Sequence, residues 1–81
     1  MRFATPEEKA FMRECKQWKN YQNLDEYKED VIKCLMYSTW HYTEKQAHEI
    51  VDDERAEWVK LFYEEKTPAD DCCTEVGFYA G

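Results

Sequence analysis

The chain has 81 residues, a formal net charge of −7 at pH 7 and only two glycines. This length allows one domain, residues 1–81. A glycine-rich loop that cradles phosphate is excluded, and the acidic charge disfavours nucleic acid as a partner, because phosphate contacts supply most of the affinity of nucleic-acid-binding proteins.

Four helix-start signals follow one another along the chain. Each places Thr or Asn where an N-cap would lie, ahead of acidic or amide side chains in the first turn, and two of the four have Pro at the first helical position. These signals predict four helices, the last of them ended by Gly77. They begin at Thr5, Asn23, Thr43 and Thr67.

Apolar residues recur at helical spacing after each signal. In the first helix a basic face formed by Lys9, Arg13 and Lys16 lies opposite the apolar one. The predicted core stripes of the first, second and fourth helices are Phe11, Cys15 and Trp18; Leu24, Tyr27, Val31, Cys34 and Leu35; and Ala69, Cys72, Cys73 and Val76.

The third segment, residues 44–66, has two interpretations. If it is one continuous helix, its apolar side chains share an arc of roughly 120°. Glu54 falls inside that arc, and Asp52-Asp53 could cap a new helix. The shared phase favours continuity. The apolar arc of the continuous helix consists of Ala47, Ile50, Val51, Trp58, Leu61 and Phe62.

The predicted fold of the whole chain is an all-α compact bundle of four short helices, or five if the third segment breaks near Asp52-Asp53.

The chain begins with charge and has no apolar stretch typical of a signal peptide. Its longest mostly apolar run, residues 31–42, is too short to span a bilayer. We therefore expect a cytoplasmic protein with no membrane partner, in which the four cysteines are reduced thiols.

The adjacent pair Cys72-Cys73 is the most conspicuous local feature. One hypothesis is a redox or soft-metal site that includes His41 or His48. However, the chain lacks the paired knuckles of zinc sites, and adjacent residues of a helix point about 100° apart. We expect both cysteines to be packing residues, and no cofactor or bound metal.

The sequence contains no nucleophile–base set, so we do not expect an enzyme. The favoured function is a protein-interaction or regulatory module, which binds a protein partner or a second copy of itself. Exposed aromatic side chains mark such surfaces. The candidate residues lie off the predicted stripes or, for Glu54, conflict with one: Tyr37, Glu54, Tyr63, Phe78 and Tyr79.

Two alternative functions stay open. The first is a thiol or metal-binding protein that uses Cys72-Cys73. The second is a small acidic inhibitor that mimics nucleic acid and occupies a nucleic-acid-binding protein. The third segment carries eight acidic residues, but its four basic residues weaken the second alternative.

Overall fold

A computed structural model describes residues 5–38 and 40–80, with side chains up to residue 79. Every regular element in this part of the chain is helical, so the prediction of an all-α bundle is confirmed. The helices are α1 (Pro6–Glu14), α2 (Leu24–Tyr37), α3 (Glu44–Glu49), α4 (Ala56–Glu64) and α5 (Ala69–Ala80), with a π-helical turn (Ile50–Glu54) between α3 and α4.

Three of the helices begin where the sequence predicts, because a side chain caps each N-terminus. The side-chain oxygens of Thr5, Asn23 and Thr43 accept hydrogen bonds from the backbone N–H three residues later, at 3.1, 3.0 and 3.1 Å. Helix α5 begins at Ala69, and the N–H of Asp70 donates to the carbonyl of Cys15 at 3.0 Å. The end of α1 therefore satisfies an unpaired donor at the start of α5.

Helix α2 lies at the centre of the core. It makes its most extensive contacts with α5, and the phenol of the fully buried Tyr27 donates to the carbonyl of Thr67 at 2.8 Å, just before α5. This bond satisfies the one polar group that the ring carries into the core. Four residues of the predicted stripe are buried, namely Tyr27, Val31, Cys34 and Leu35. Leu24 is only partly buried, and Ile32, which the stripe did not include, is buried as well.

The third segment breaks, so the five-helix alternative is correct and the favoured continuous helix is wrong. The N–H of Arg55 donates to the carbonyl of Ile50 at 2.8 Å, five residues back, which closes the π-helical turn. Arg55 itself has φ −124° and ψ 26°, outside helical values. Such a turn contains one residue more than an α-helical turn, so every position after it changes face.

The change of face moves the apolar stripe of α4 by one residue. The predicted arc contains Trp58, Leu61 and Phe62, whereas the residues that contact the core are Val59, Phe62 and Tyr63. Trp58 and Leu61 are consequently exposed, which corrects their prediction as core residues. Glu54, which the continuous helix would place on the apolar arc, is exposed at the end of the π-helical turn.

Gly77 does not end the last helix, contrary to the prediction. It lies within α5, three residues before the helix ends, and no glycine in the described residues has positive φ. A Cβ atom at this position would lie 2.7 Å from the Trp40 ring and 3.1 Å from a methyl group of Leu35. Glycine is therefore suited to this position by close packing rather than by backbone conformation.

A partly buried polar network fastens the α1–α2 loop to α2. One carboxylate oxygen of Asp30 accepts hydrogen bonds from the Tyr21 hydroxyl at 2.6 Å and the Lys19 ammonium at 3.1 Å. We expect Asp30→Ala to lower the free energy of unfolding by about 1–3 kcal/mol, because two donors lose their acceptor. Urea unfolding measures this loss. The neighbouring exposed Glu29→Ala is the control, and an equal loss there would show that the two lost hydrogen bonds are not the cause.

Candidate functional site

Three aromatic rings form a continuous exposed surface where α4 and α5 meet, which we call the aromatic patch (Trp58, Phe78 and Tyr79). The Tyr79 ring makes T-shaped contacts with Trp58, with centroids 5.4 Å apart, and with Phe78, with centroids 5.0 Å apart. The exposed fractions of Trp58, Phe78 and Tyr79 are 37%, 69% and 53%. Together these side chains present roughly 250–400 Å² to solvent, since one aromatic side chain has about 150–250 Å².

Arg55 connects the two helices beneath the patch. Its guanidinium donates to the carbonyl of Tyr79 at 2.7 Å and lies 4.8 Å from the centroid of the Trp58 ring. The last carbonyls of a helix lack intrahelical donors and carry partial negative charge. Helix α5 has no Lys or Arg of its own, so Arg55 supplies the cation at its C-terminus and holds Trp58 against Tyr79.

The aromatic patch is exposed because packing in the core fixes which side of α4 and which side of α5 face inward. Val59 is the buried residue of α4, which turns the preceding Trp58 outward. In α5, Val76 and Gly77 are buried, so the next two residues, Phe78 and Tyr79, face solvent. Leu61, 55% exposed, lies one turn beyond Trp58 and extends the apolar surface along α4.

Acidic side chains border the aromatic patch. Glu75 precedes Phe78 by three residues and Tyr79 by four, so it lies on their face of α5. On α4, Glu57 and Glu64 line a shallow groove around Leu61, together with Lys60. All three of these glutamates are exposed. The border is therefore predominantly negative.

The structure brings two of the five predicted partner-binding residues together, Phe78 and Tyr79. Tyr37 is partly buried and packs edge-on against Phe11, with centroids 5.7 Å apart. Tyr63 is also partly buried, in a cluster of rings against the core, 5.7 Å from Tyr27. Glu54 lies at the exposed end of the π-helical turn.

The four cysteines are buried and unpaired. The Cys34 thiol is a neighbour of those of Cys15 and Cys73, and the Cys72 thiol is a neighbour of the Tyr27 phenol. Burial raises the pKa of Cys72 to about 12, although the contact with Tyr27 opposes the shift. The contact with Cys34 and burial also raise the pKa of Cys15. Reactive and metal-binding cysteines are thiolates, whereas these environments favour the neutral thiol.

The two histidines lie on different elements, and both are exposed, whereas the thiols are buried. His41 is exposed in the α2–α3 loop with φ 50°. His48 is exposed on α3, with Nδ1 3.2 Å from the carboxylate of Asp52 and Nε2 3.9 Å from that of Glu44. Among residues 5–38 and 40–79, no group of three or more His, Cys, Asp or Glu side chains is placed to hold a metal ion.

The basic face predicted on the first helix is a second surface feature, although its last residue, Lys16, lies beyond the end of α1. Lys9, Arg13 and Lys16 are exposed, and with the partly buried Met12 they line a shallow groove. Three cations without interleaved aromatic rings form a small basic surface compared with nucleic-acid-binding sites. None of the described helices combines the length and apolar composition needed to cross a bilayer.

Neither Trp58, which belongs to the patch, nor Arg55, which lies beneath it, follows from the apolar spacing, because the positions of both depend on the π-helical turn. The acidic residue inside the supposed apolar arc, Glu54, was the signal that the helical phase changes. No protein-family model matches the chain, and no curated protein and no solved structure matches it either.

Proposed function

We propose that this chain is a non-catalytic interaction module that binds a protein partner through the aromatic patch. The observation that carries the proposal is the group of three exposed, mutually contacting rings on two helices. Aromatic residues and Arg are enriched in protein–protein interfaces, and large rings lose little conformational entropy on binding.

The position of Arg55 supports the same proposal. Its contacts with Tyr79 and Trp58 hold two of the three rings in place before any partner arrives. A surface that is already ordered avoids part of the entropy cost of association. The chain can therefore gain more affinity from a small patch than mobile side chains would allow.

The alternative functions have less support. A thiol site requires accessible thiolates, but the four thiols are buried. Mimicry of nucleic acid requires acidic groups spaced along one face, and the basic Lys60 lies between Glu57 and Glu64 of α4. We also propose a cytoplasmic location, because neighbouring thiols such as Cys15 and Cys34 stay reduced in that compartment.

Site-specific photocrosslinking in the native host cell tests the proposed function. A photoreactive phenylalanine derivative replaces Tyr79 in one variant and the exposed Lys45 of α3 in a control variant. We expect a discrete protein adduct from position 79 and none from position 45. Phe78→Ser in the first variant should reduce the adduct about tenfold or more, because a central anchor of the interface is lost.

The serine substitution should leave the fold unchanged, since 69% of the Phe78 side chain is exposed. We expect its free energy of unfolding to change by less than about 0.5–1 kcal/mol. Equal adducts from positions 45 and 79, or an adduct at 79 that Phe78→Ser does not diminish, would contradict the proposal.

A further inference from the structure

We infer that the occupant of the aromatic patch is a cationic amphipathic segment of another protein, with Lys or Arg beside apolar anchor residues. This inference rests on the proposed function and specifies the chemistry of the partner. It follows from the negative charges around the three rings. The other charged surface described above, formed by Lys9, Arg13 and Lys16, is positive and would repel such a partner.

The acidic border is arranged on both helices that carry the rings. Glu75 lies one turn before Phe78 and Tyr79 on α5, and α5 contains no basic residue. Glu57 and Glu64 flank Leu61 on α4. A partner whose cations lie on either side of an apolar residue would pair with these carboxylates while its apolar residue contacts the rings.

The rings themselves also favour a cation. The face of an aromatic ring is negative, and Trp and Tyr attract ammonium and guanidinium groups. The patch already shows this preference, since the Arg55 guanidinium lies 4.8 Å from the Trp58 centroid. Partly exposed Trp58 and Tyr79 can accept a further cation from the partner.

A second copy of this chain fits the patch poorly. A symmetric dimer through this surface would place the patch and its acidic border against the same patch and border of the other copy. The border glutamates Glu57 and Glu75 would then meet a predominantly negative surface, and like charges placed opposite one another are unfavourable. The net charge of −7 adds long-range repulsion between copies.

Peptide binding to the full chain tests the inference. The probes are two labelled amphipathic peptides of identical apolar pattern, one with Leu and Lys and the other with Leu and Glu, measured by fluorescence anisotropy at low and physiological salt. We expect the Lys peptide to bind and the Glu peptide to bind at least about tenfold more weakly. Affinity for the Lys peptide should fall as salt rises.

Two charge variants separate a local effect from the net charge. Glu57→Gln with Glu75→Gln removes two charges beside the patch, and Glu29→Gln with Glu49→Gln removes two exposed charges elsewhere. The first pair should weaken binding of the Lys peptide roughly three- to tenfold, and the control pair less than about twofold. Equal losses from both pairs would overturn the inference, because binding would then follow net charge alone.

Other outcomes distinguish this inference from the function on which it rests. Tight binding of the Glu peptide that Phe78→Ser abolishes would overturn the cationic partner and keep the interaction module. A dimer in solution that Phe78→Ser dissociates would show that a second copy is the occupant, and would also overturn it. Failure to bind either peptide would overturn the cationic assignment, while the crosslinking experiment tests the module independently.

Discussion

Raising the pH above about 9 is expected to destabilise the fold by several kcal/mol, because buried thiols must stay protonated in the folded chain. Burial raises the pKa of Cys72 from its ordinary value of 9.0 to about 12. The contact with Cys34 and burial raise that of Cys15. For Cys34, the contact with Cys15 lowers the pKa, but the contact with Cys73 and burial together have the larger effect. The pKa of Cys34 is therefore also above its ordinary value.

The sign of the effect follows from proton binding. Between the ordinary pKa and the raised one, the unfolded chain has lost the thiol proton and the folded chain retains it. The stabilisation by Cys72 is complete below pH 9 and is lost as the pH rises towards 12. One such thiol lowers the free energy of unfolding by about 1.4 kcal/mol per pH unit, and every further thiol whose pKa is raised makes this slope steeper.

A small domain has a total stability of only about 5–15 kcal/mol, so we expect unfolding near pH 10–11. Urea unfolding followed by circular dichroism at pH 8, 9 and 10, with reductant present, measures the slope. Cys72→Ala should make the slope shallower by about 1.4 kcal/mol per pH unit even though its stability at pH 8 is lower. A stability that stays constant from pH 8 to 10 would show that the thiols ionise within the folded chain.

Helix starts were predictable here because their causes are local. Thr5, Asn23 and Thr43 each cap a helix with a bond to a backbone N–H three residues away, so the sequence around each contains all that is needed. The stripe of α2 was equally clear, since this helix contacts most of the core and its apolar periodicity is uninterrupted.

The candidate site was only half predictable, because one part of it depends on a change of helical phase. Phe78 and Tyr79 fall off the α5 stripe and were recognised from their spacing. Trp58 has the spacing of a core residue unless a residue is added before it, and the π-helical turn adds that residue. Tyr63 shows the reverse error, since the same change turns it towards the core. Periodicity alone contains no information on where such a turn forms.

Deleting one residue before Arg55 should change the free energy of unfolding far less than deleting one residue after it. Removing the exposed Asp53 takes away the extra residue of the π-helical turn and allows a continuous α-helix. The residues after it then keep their orientation, with Val59 towards the core and Trp58 towards solvent. We expect this deletion to change the free energy of unfolding by no more than about 1 kcal/mol.

Removing the exposed Lys60, which follows the buried Val59 in α4, should be far more damaging, because neither form of the preceding turn keeps both halves of the helix in place. If the π-helical turn persists, Glu64 takes the partly buried position of Tyr63; if it relaxes, Val59 leaves the core and Trp58 takes its position. Burying an unpaired charge costs about 3–5 kcal/mol or more, a large share of the stability of a small domain. Urea unfolding of both deletion variants provides the comparison. Equal losses would show that α4 does not depend on the π-helical turn for its orientation, and the exposure of Trp58 would then need another cause.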